Sequence, residues 1–404
     1  NGTVTNSTIT LTGVTPQINT ATQIGNLVVA SSVTGGAVVT TSSLKLAGAL
    51  TVQTGGILQD TTNDLGMSVS GATTVMGTGS LTLGDGTYSF AAIGGTGSFT
   101  AATATGSTSI SGNLTVSTFT HNSGTVTFTG GTHNSYLFNN VTINGTVSSN
   151  GAWTLAGNLL ISGGEWTAGA FNHQIAGNWT NNVGPAGFVN TGSTIRFTGG
   201  GPHQIGGSAD TNFNNLTNTA AGSTMSFTAG RTIGIAGTLT VTGTAGNLIT
   251  IQSSSAGSTW ILSNAGAQSV SFVRVADSPA TTASINATNS IDLTNNNTNW
   301  VFGAISWLTG TGSTDANLGT NWATGVTPGQ YDRATVPGGG TQPVQTATLS
   351  LRGLTLAAAT SSWSNGDQGL TVSSTLSNAG TFTYTGTGSL ALPTTTAIAP
   401  FGGT

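Results

Sequence analysis

Apolar residues and threonines alternate along this chain with a period of two. Thr8-Ile9-Thr10-Leu11-Thr12 is the first clear instance. Thr125-Val126-Thr127-Phe128-Thr129, Thr238-Leu239-Thr240-Val241-Thr242 and Thr381-Phe382-Thr383-Tyr384-Thr385 follow it. Successive side chains of a strand point to opposite faces, so each segment predicts a strand with one β-branched or aromatic face and one hydroxyl face. A soluble protein usually places Lys and Glu on that second face; here threonine takes their place. The sequence holds 62 glycines and 9 prolines. Glycine costs about 1 kcal/mol per helical position relative to alanine, which leaves little room for regular helices. The predicted class is all-β with many tight turns.

The strands recur in a box of glycine, then a small residue or Asn, then an apolar/Thr run. Copies begin at Gly25, Gly48, Gly71, Gly112, Gly157, Gly177 and Gly237, as in Gly112-Asn113-Leu114-Thr115-Val116. The intervals cluster near one, two or three times roughly 20–22 residues, within the solenoid range of about 20–50. A longer match joins Gly124 through Gly131, His133 and Phe138-Asn139-Asn140-Val141-Thr142 to Gly192 through Gly200, His203 and Phe213-Asn214-Asn215-Leu216-Thr217. The spacing predicts a parallel β-solenoid whose turns each carry two or three short strands. Glycine supplies positive φ at the corners, and Asn stacks on Asn from turn to turn. About 19 turns at ~4.8 Å each would give roughly 90 Å. A propeller would show a period of about 40–50 with aromatic signatures in each blade, which are absent; a β-sandwich pair stays open for the tail.

The composition shifts after Asn295-Asn296-Asn297-Thr298-Asn299-Trp300. We expect a main β-solenoid over 1–302 and a second, shorter β-solenoid or β-rich module over 303–404. In the second, Pro337 and Pro343 mark a loop before strands resume at Leu349 to Leu356.

Only 16 residues are charged, 6 basic and 10 acidic, for a net charge of −4. This balance argues against steering toward nucleic acid or an anionic membrane surface. No run approaches the ~20 apolar residues of a membrane-spanning helix, and outer-membrane strands would need aromatic girdles and greater length. Hydrophobic residues make up 36%, enough to bury a core and to argue against disorder. The chain has no cysteine and begins at Asn1 without Met or signal peptide. It reads as a mature or trimmed segment, compatible with export. So few titratable groups predict little sensitivity of stability to pH or salt.

No catalytic, cofactor-binding or metal site is predicted, and no enzyme. Asp60, Asp64 and Asp85 form the nearest approach to an acidic cluster, and their expected role is in corner turns. Arg274 and Asp277 could pair locally. The histidines His121, His133, His173 and His203 are dispersed, and the matching repeat positions of His133 and His203 favour a corner role over a ligand pair. No solenoid calcium repeat is present. Trp153, Trp166, Trp179, Trp260, Trp300, Trp307, Trp322 and Trp363 are either core packing or carbohydrate-stacking platforms. Nine Asn-x-Ser/Thr sequons, Asn113 and Asn215 among them, leave glycosylation open. The Thr-x-Thr ladders suit ice binding, but threonine is also simply the best polar strand former.

The Gly-Asn-Trp/Leu phrase with Thr-rich strands, the run from Asp277-Ser278 to Asn286-Ala287-Thr288-Asn289-Ser290, the Asn-rich closure at Trp300 and the Asn321-Trp322…Pro328-Gly329 opening occur together. The combination resembles the repeat regions of giant bacterial surface exoproteins, of the filamentous-haemagglutinin or autotransporter-passenger type. That resemblance implies a parallel β-helix serving as stalk, adhesin or sheath material. The expectation is a structural subunit of an extracellular filament, sheath or surface layer, with copies of itself as partners. The alternatives are a cell-surface adhesin for glycans or neighbouring surfaces and, behind it, an ice-binding solenoid. No capping element is evident at Asn1 or at Pro400-Phe401-Gly402-Gly403-Thr404, which suggests head-to-tail association.

Overall fold

A computed structural model describes residues 4–18, 22–33, 35–39 and 42–393; both chain ends discussed as uncapped lie outside them. The protein is all-β, 52% strand and 2% helix, with parallel strands stacked as a β-solenoid of about 18 turns. Two compact units divide the chain: Asn1–Phe197 with Ile205–Asn214, and Thr198–Gln204 with Asn215–Thr404.

In the first unit, one column of facing residues runs Leu44, Met67, Tyr88, Thr108, Val126, Val141, Leu159, Trp179 and Ile205. Its turns therefore range from 15 residues, Val126 to Val141, up to 26, Trp179 to Ile205. A second column runs Leu27, Leu50, Thr73, Ile93, Leu114 and His133. The Gly-Asn boxes switch columns: Leu114 belongs to the second and Leu159 to the first. The interval between Gly112 and Gly157 is thus a change of face, not two turns of one face.

The alternation reads out as predicted in the strand Thr125–Asn134, where Val126 and Phe128 are buried and Thr125 and Thr127 are half-buried. It fails at the margins. Ile9 is exposed in the strand Val4–Leu11, and Tyr384 is exposed beyond the strand Thr381–Thr383. An aromatic chain fills the first core. Phe99 and Phe119 lie 5.8 Å apart, Phe119 and Phe138 5.2 Å, Phe138 and Trp153 5.3 Å, and Trp153 and Trp166 5.1 Å.

The box has a steric logic that differs from the expected one. Asn140 Oδ1 accepts the Asn158 backbone N–H at 2.8 Å, and Asn158 Oδ1 accepts that of Asn178 at 2.8 Å. These box asparagines form a side-chain-to-backbone ladder; the expected amide-on-amide contact occurs instead at Asn150, whose Nδ2 donates to Asn134 Oδ1 at 3.3 Å. Each ladder side chain occupies the space beside the glycine of the next turn. A Cβ on Gly157 would lie 2.3 Å from Asn140 Oδ1, and one on Gly177 2.5 Å from Asn158 Oδ1. Neither glycine has positive φ; close approach is what requires it. Gly157→Ala should therefore cost about 1–3 kcal/mol through overpacking. With Asn140→Ala in place the same change should cost clearly less, because the nearest remaining atom is the Asn139 carbonyl at 3.0 Å. A double-mutant cycle in urea measures this, and strict additivity would rule the ladder out as the reason for the glycine.

The second unit opens with turns of three strands, and its later turns, such as Leu349–Leu356 with Ser362–Ser364, have two. Asn215–Asn218, Thr224–Phe227 and Thr232–Ile235 make one turn, and Thr238–Thr242, Ile249–Ser253 and Ile261–Asn264 stack on it in parallel. The first of these faces ends at Trp300–Phe302, and a new parallel sheet starts at Ile305–Ser306. It continues through Arg333–Val336, Leu349–Leu356, Leu370–Asn378 and Leu390–Ala391. The pattern change near residue 303 falls at this change of sheet. Between Ser306 and Arg333 a long excursion carries Trp307 and Trp322 into the core, with ring centroids 5.2 Å apart. The Asp332 carboxylate, at its far end, accepts the Asp292 N–H at 2.9 Å.

Candidate functional site

The residues singled out for chemistry mostly bond within the coil. Asp60 is fully buried; its carboxylate accepts the Gly66 N–H at 2.8 Å and the Tyr88 hydroxyl at 3.1 Å. Asp64 accepts the Asp85 N–H at 2.7 Å, and Asp85 in turn bonds Thr103 on the following turn. These are corner roles, as expected. Arg274 and Asp277 do not pair: Asp277 accepts the Asn296 amide at 2.7 Å and the Gly257 N–H at 2.9 Å. Asp277 sits at φ 57 and turns into the corner. No group of three or more His, Cys, Asp or Glu is placed to hold a metal among the described residues.

His133 and His173 share one arrangement. His133 Nδ1 accepts the Leu114 N–H at 3.1 Å, and its Nε2 contacts the Gly130 carbonyl at 3.1 Å. His173 Nδ1 accepts the Trp153 N–H at 3.0 Å, and its Nε2 contacts the Ala168 carbonyl at 3.0 Å. Each neutral imidazole thus bonds the previous turn on one side and its own turn on the other. Both are fully buried. Desolvation holds both pKa values at about 4, below the ordinary 6.5. His173 thus repeats the His133 arrangement, a likeness that differing loop lengths conceal in the sequence. His121 accepts the Ser123 N–H at 2.9 Å in a turn, and His203 is buried.

All eight tryptophans are buried, Trp300 the least at 8% exposure, so none is an open stacking platform. Among the sequons, Asn113, Asn140 and Asn215 commit Oδ1 to a backbone N–H of the next turn.

Two surfaces combine several functional groups. On the first unit, the outward positions Lys45, Ser68, Ser89, Ser109, Thr127, Thr142, Leu160 and Thr180 face one another turn by turn. None is buried. Thr87 and Ser89, Ser107 and Ser109, and Thr125 and Thr127 make paired hydroxyls on three consecutive turns. The column has one charge, at Lys45, and Leu160 interrupts its hydroxyls.

On the second unit, three adjoining cavities of about 380, 360 and 300 Å³ share Tyr331 as a wall, each within the range of small-ligand sites. Arg333 and Arg352 line the largest of these three, and Arg274 lines the smallest of them. Arg352 sits where pairing between Leu349–Leu356 and Leu370–Asn378 slips, opposite Ser373 and Ser374; such a bulge re-aims a side chain. Arg333 faces Gly353 on the next turn, where an added Cβ would lie 3.2 Å from the Arg333 Cγ. The missing side chain leaves room for the arginine stem. Below them, Asp332 accepts N–H groups from Asp292 and Gly329, and burial raises its pKa from 3.8 to about 6. Burial also raises that of Asp292.

Sequence reading missed this groove. Its one signal was the interval from Arg333 to Arg352, close to one turn of the coil. No family profile, curated protein or solved structure matches the chain. The groove and the hydroxyl column must be interpreted from their own chemistry.

Proposed function

We propose that the chain is a structural subunit of an extracellular filament, sheath or surface layer, assembling through contacts between solenoids. The outward column from Lys45 to Thr180 carries this reading, because six of its eight stacked positions present hydroxyls and only one carries a charge. A face without like charges meets no electrostatic barrier against a second copy, and charge repulsion is what normally keeps soluble proteins apart. The extracellular, bacterial setting rests on the likeness of the repeat pattern to surface exoproteins. Sedimentation velocity tests the association. Weight-average mass should rise with concentration and stay nearly constant from low to high salt, since few charges are present to screen. A mass that stays monomeric throughout contradicts the proposal.

A second reading, a surface adhesin for glycans, draws on the groove at Tyr331, where arginine, amide and hydroxyl groups converge. Both readings are non-enzymatic. Turnover of an acidic polysaccharide by the purified chain would contradict that.

A further inference from the structure

Three of the six basic residues of the whole chain, Arg274, Arg333 and Arg352, line the cavities that meet at Tyr331. None of the three guanidinium groups has an ion-pair or hydrogen-bond partner among the described residues, and Arg274 Nε is buried without one. The hydrogen bonds of the neighbouring carboxylates go elsewhere, although Asp292 still feels the charge of Arg352. Asp332 takes two backbone N–H groups, and Asp292 takes the Thr294 N–H at 3.2 Å and the Asn297 amide at 2.6 Å. A protein so poor in charge has therefore gathered half its cations along one groove without a direct ion pair, the Asp292 carboxylate acting on Arg352 only through space. Guanidinium is suited to bidentate capture of carboxylate or sulfate oxygens.

We propose that this groove binds an extended acidic polysaccharide, its carboxylate or sulfate groups held by Arg333, Arg352 and Arg274 and a sugar ring laid against Tyr331. Asn295 and Ser350 supply polar contacts for sugar hydroxyls. Three adjoining cavities suit a chain ligand better than a single small anion. The arginines are few, set on different strands and interleaved with amides and hydroxyls, which fits a polymer charged about once per sugar. A nucleic acid carries a phosphate at every nucleotide and calls for a denser basic surface than a chain of net charge −4 provides. The assignment gives a ligand to the adhesin reading and rests on that reading only for its cellular setting.

The test is equilibrium binding of the full chain to polygalacturonate, chondroitin sulfate, a neutral glucan and single-stranded DNA at moderate salt. One or both acidic polysaccharides should bind, the two arms separating carboxylate from sulfate, while the neutral glucan and DNA do not. Arg352→Gln and Arg333→Gln should each weaken binding at least tenfold. Lys45→Gln, which removes an exposed cation outside the groove, should leave it unchanged. Circular dichroism and thermal midpoints equal to those of the parent confirm that the variants fold. No binding of either acidic polymer, tighter binding of DNA, or indifference to both arginine variants overturns the proposal. Polymer binding without adherence to any cell surface keeps the site and removes the adhesin reading. Adherence that ignores the arginine variants does the reverse.

Discussion

Lowering the pH from 7 to about 4 should destabilise the first unit by several kcal/mol, through His133 and His173. Above pH 6.5 both histidines are neutral in the folded and unfolded chain and contribute no pH dependence. As pH falls below 6.5 the unfolded chain binds protons that the folded chain, with both pKa values at about 4, refuses. Stability is therefore lost across the window from 6.5 to about 4, by roughly 3 kcal/mol for each histidine. Asp332 acts in the opposite sense in the second unit. Its folded pKa of about 6 lies above the ordinary 3.8, so the folded state binds the extra proton, and that unit gains stability as pH falls from about 6 to 3.8. Hydrogen exchange, corrected for intrinsic rates, should show protection decreasing in the first unit and holding or rising in the second. His133→Gln with His173→Gln should flatten the first response. Unchanged protection around Leu114 and Trp153 at pH 4.5 would refute the assignment. The count of titratable groups suggests pH indifference, and the predicted response sets the burial of a few of them against it.

Trp166→Ala is expected to be the most destabilising single substitution in the first core, at about 3–5 kcal/mol. Its ring lies 5.1 Å from Trp153, 5.3 Å from Phe188 and 4.9 Å from His173, and its Nε1 donates to Ser149 Oγ at 2.8 Å. In a solenoid each turn is stabilised mainly by its neighbours, so a cavity here weakens the turns on both sides. Trp166→Phe should recover more than half of the loss, since it keeps an aromatic ring while giving up the hydrogen bond. Urea midpoints compare the three proteins. A loss below about 1 kcal/mol for the alanine variant would mean that the aromatic chain fills space without holding the coil together.

Much of the fold was legible because its cause is local. A period of two places Val126 and Phe128 inside whatever the neighbouring turns contribute, and the strand Leu349–Leu356 announced itself in the same way. Turn length was less legible. Turns of 15 to 26 residues share one column in the first unit because insertions enter at corners, where they cost the stack little. The boxes at Gly112 and Gly157 look alike because each needs a glycine beside an Asn or backbone of the preceding turn, whichever face it occupies. The groove was the least legible part. Arg274, Arg333 and Arg352 meet at Tyr331 only after the excursion between Ser306 and Arg333 is placed, and no periodicity reports where an excursion packs. His173 shows the same limit, since its likeness to His133 lies in hydrogen bonds and not in spacing.

As a building element, this coil would pack against copies of itself through an outer column whose only charge is Lys45. Electron microscopy of the purified chain at high concentration tests this packing most directly. Fibres or ordered lattices, persisting at high salt, are the predicted result. Dispersed single particles at every pH and concentration would contradict it.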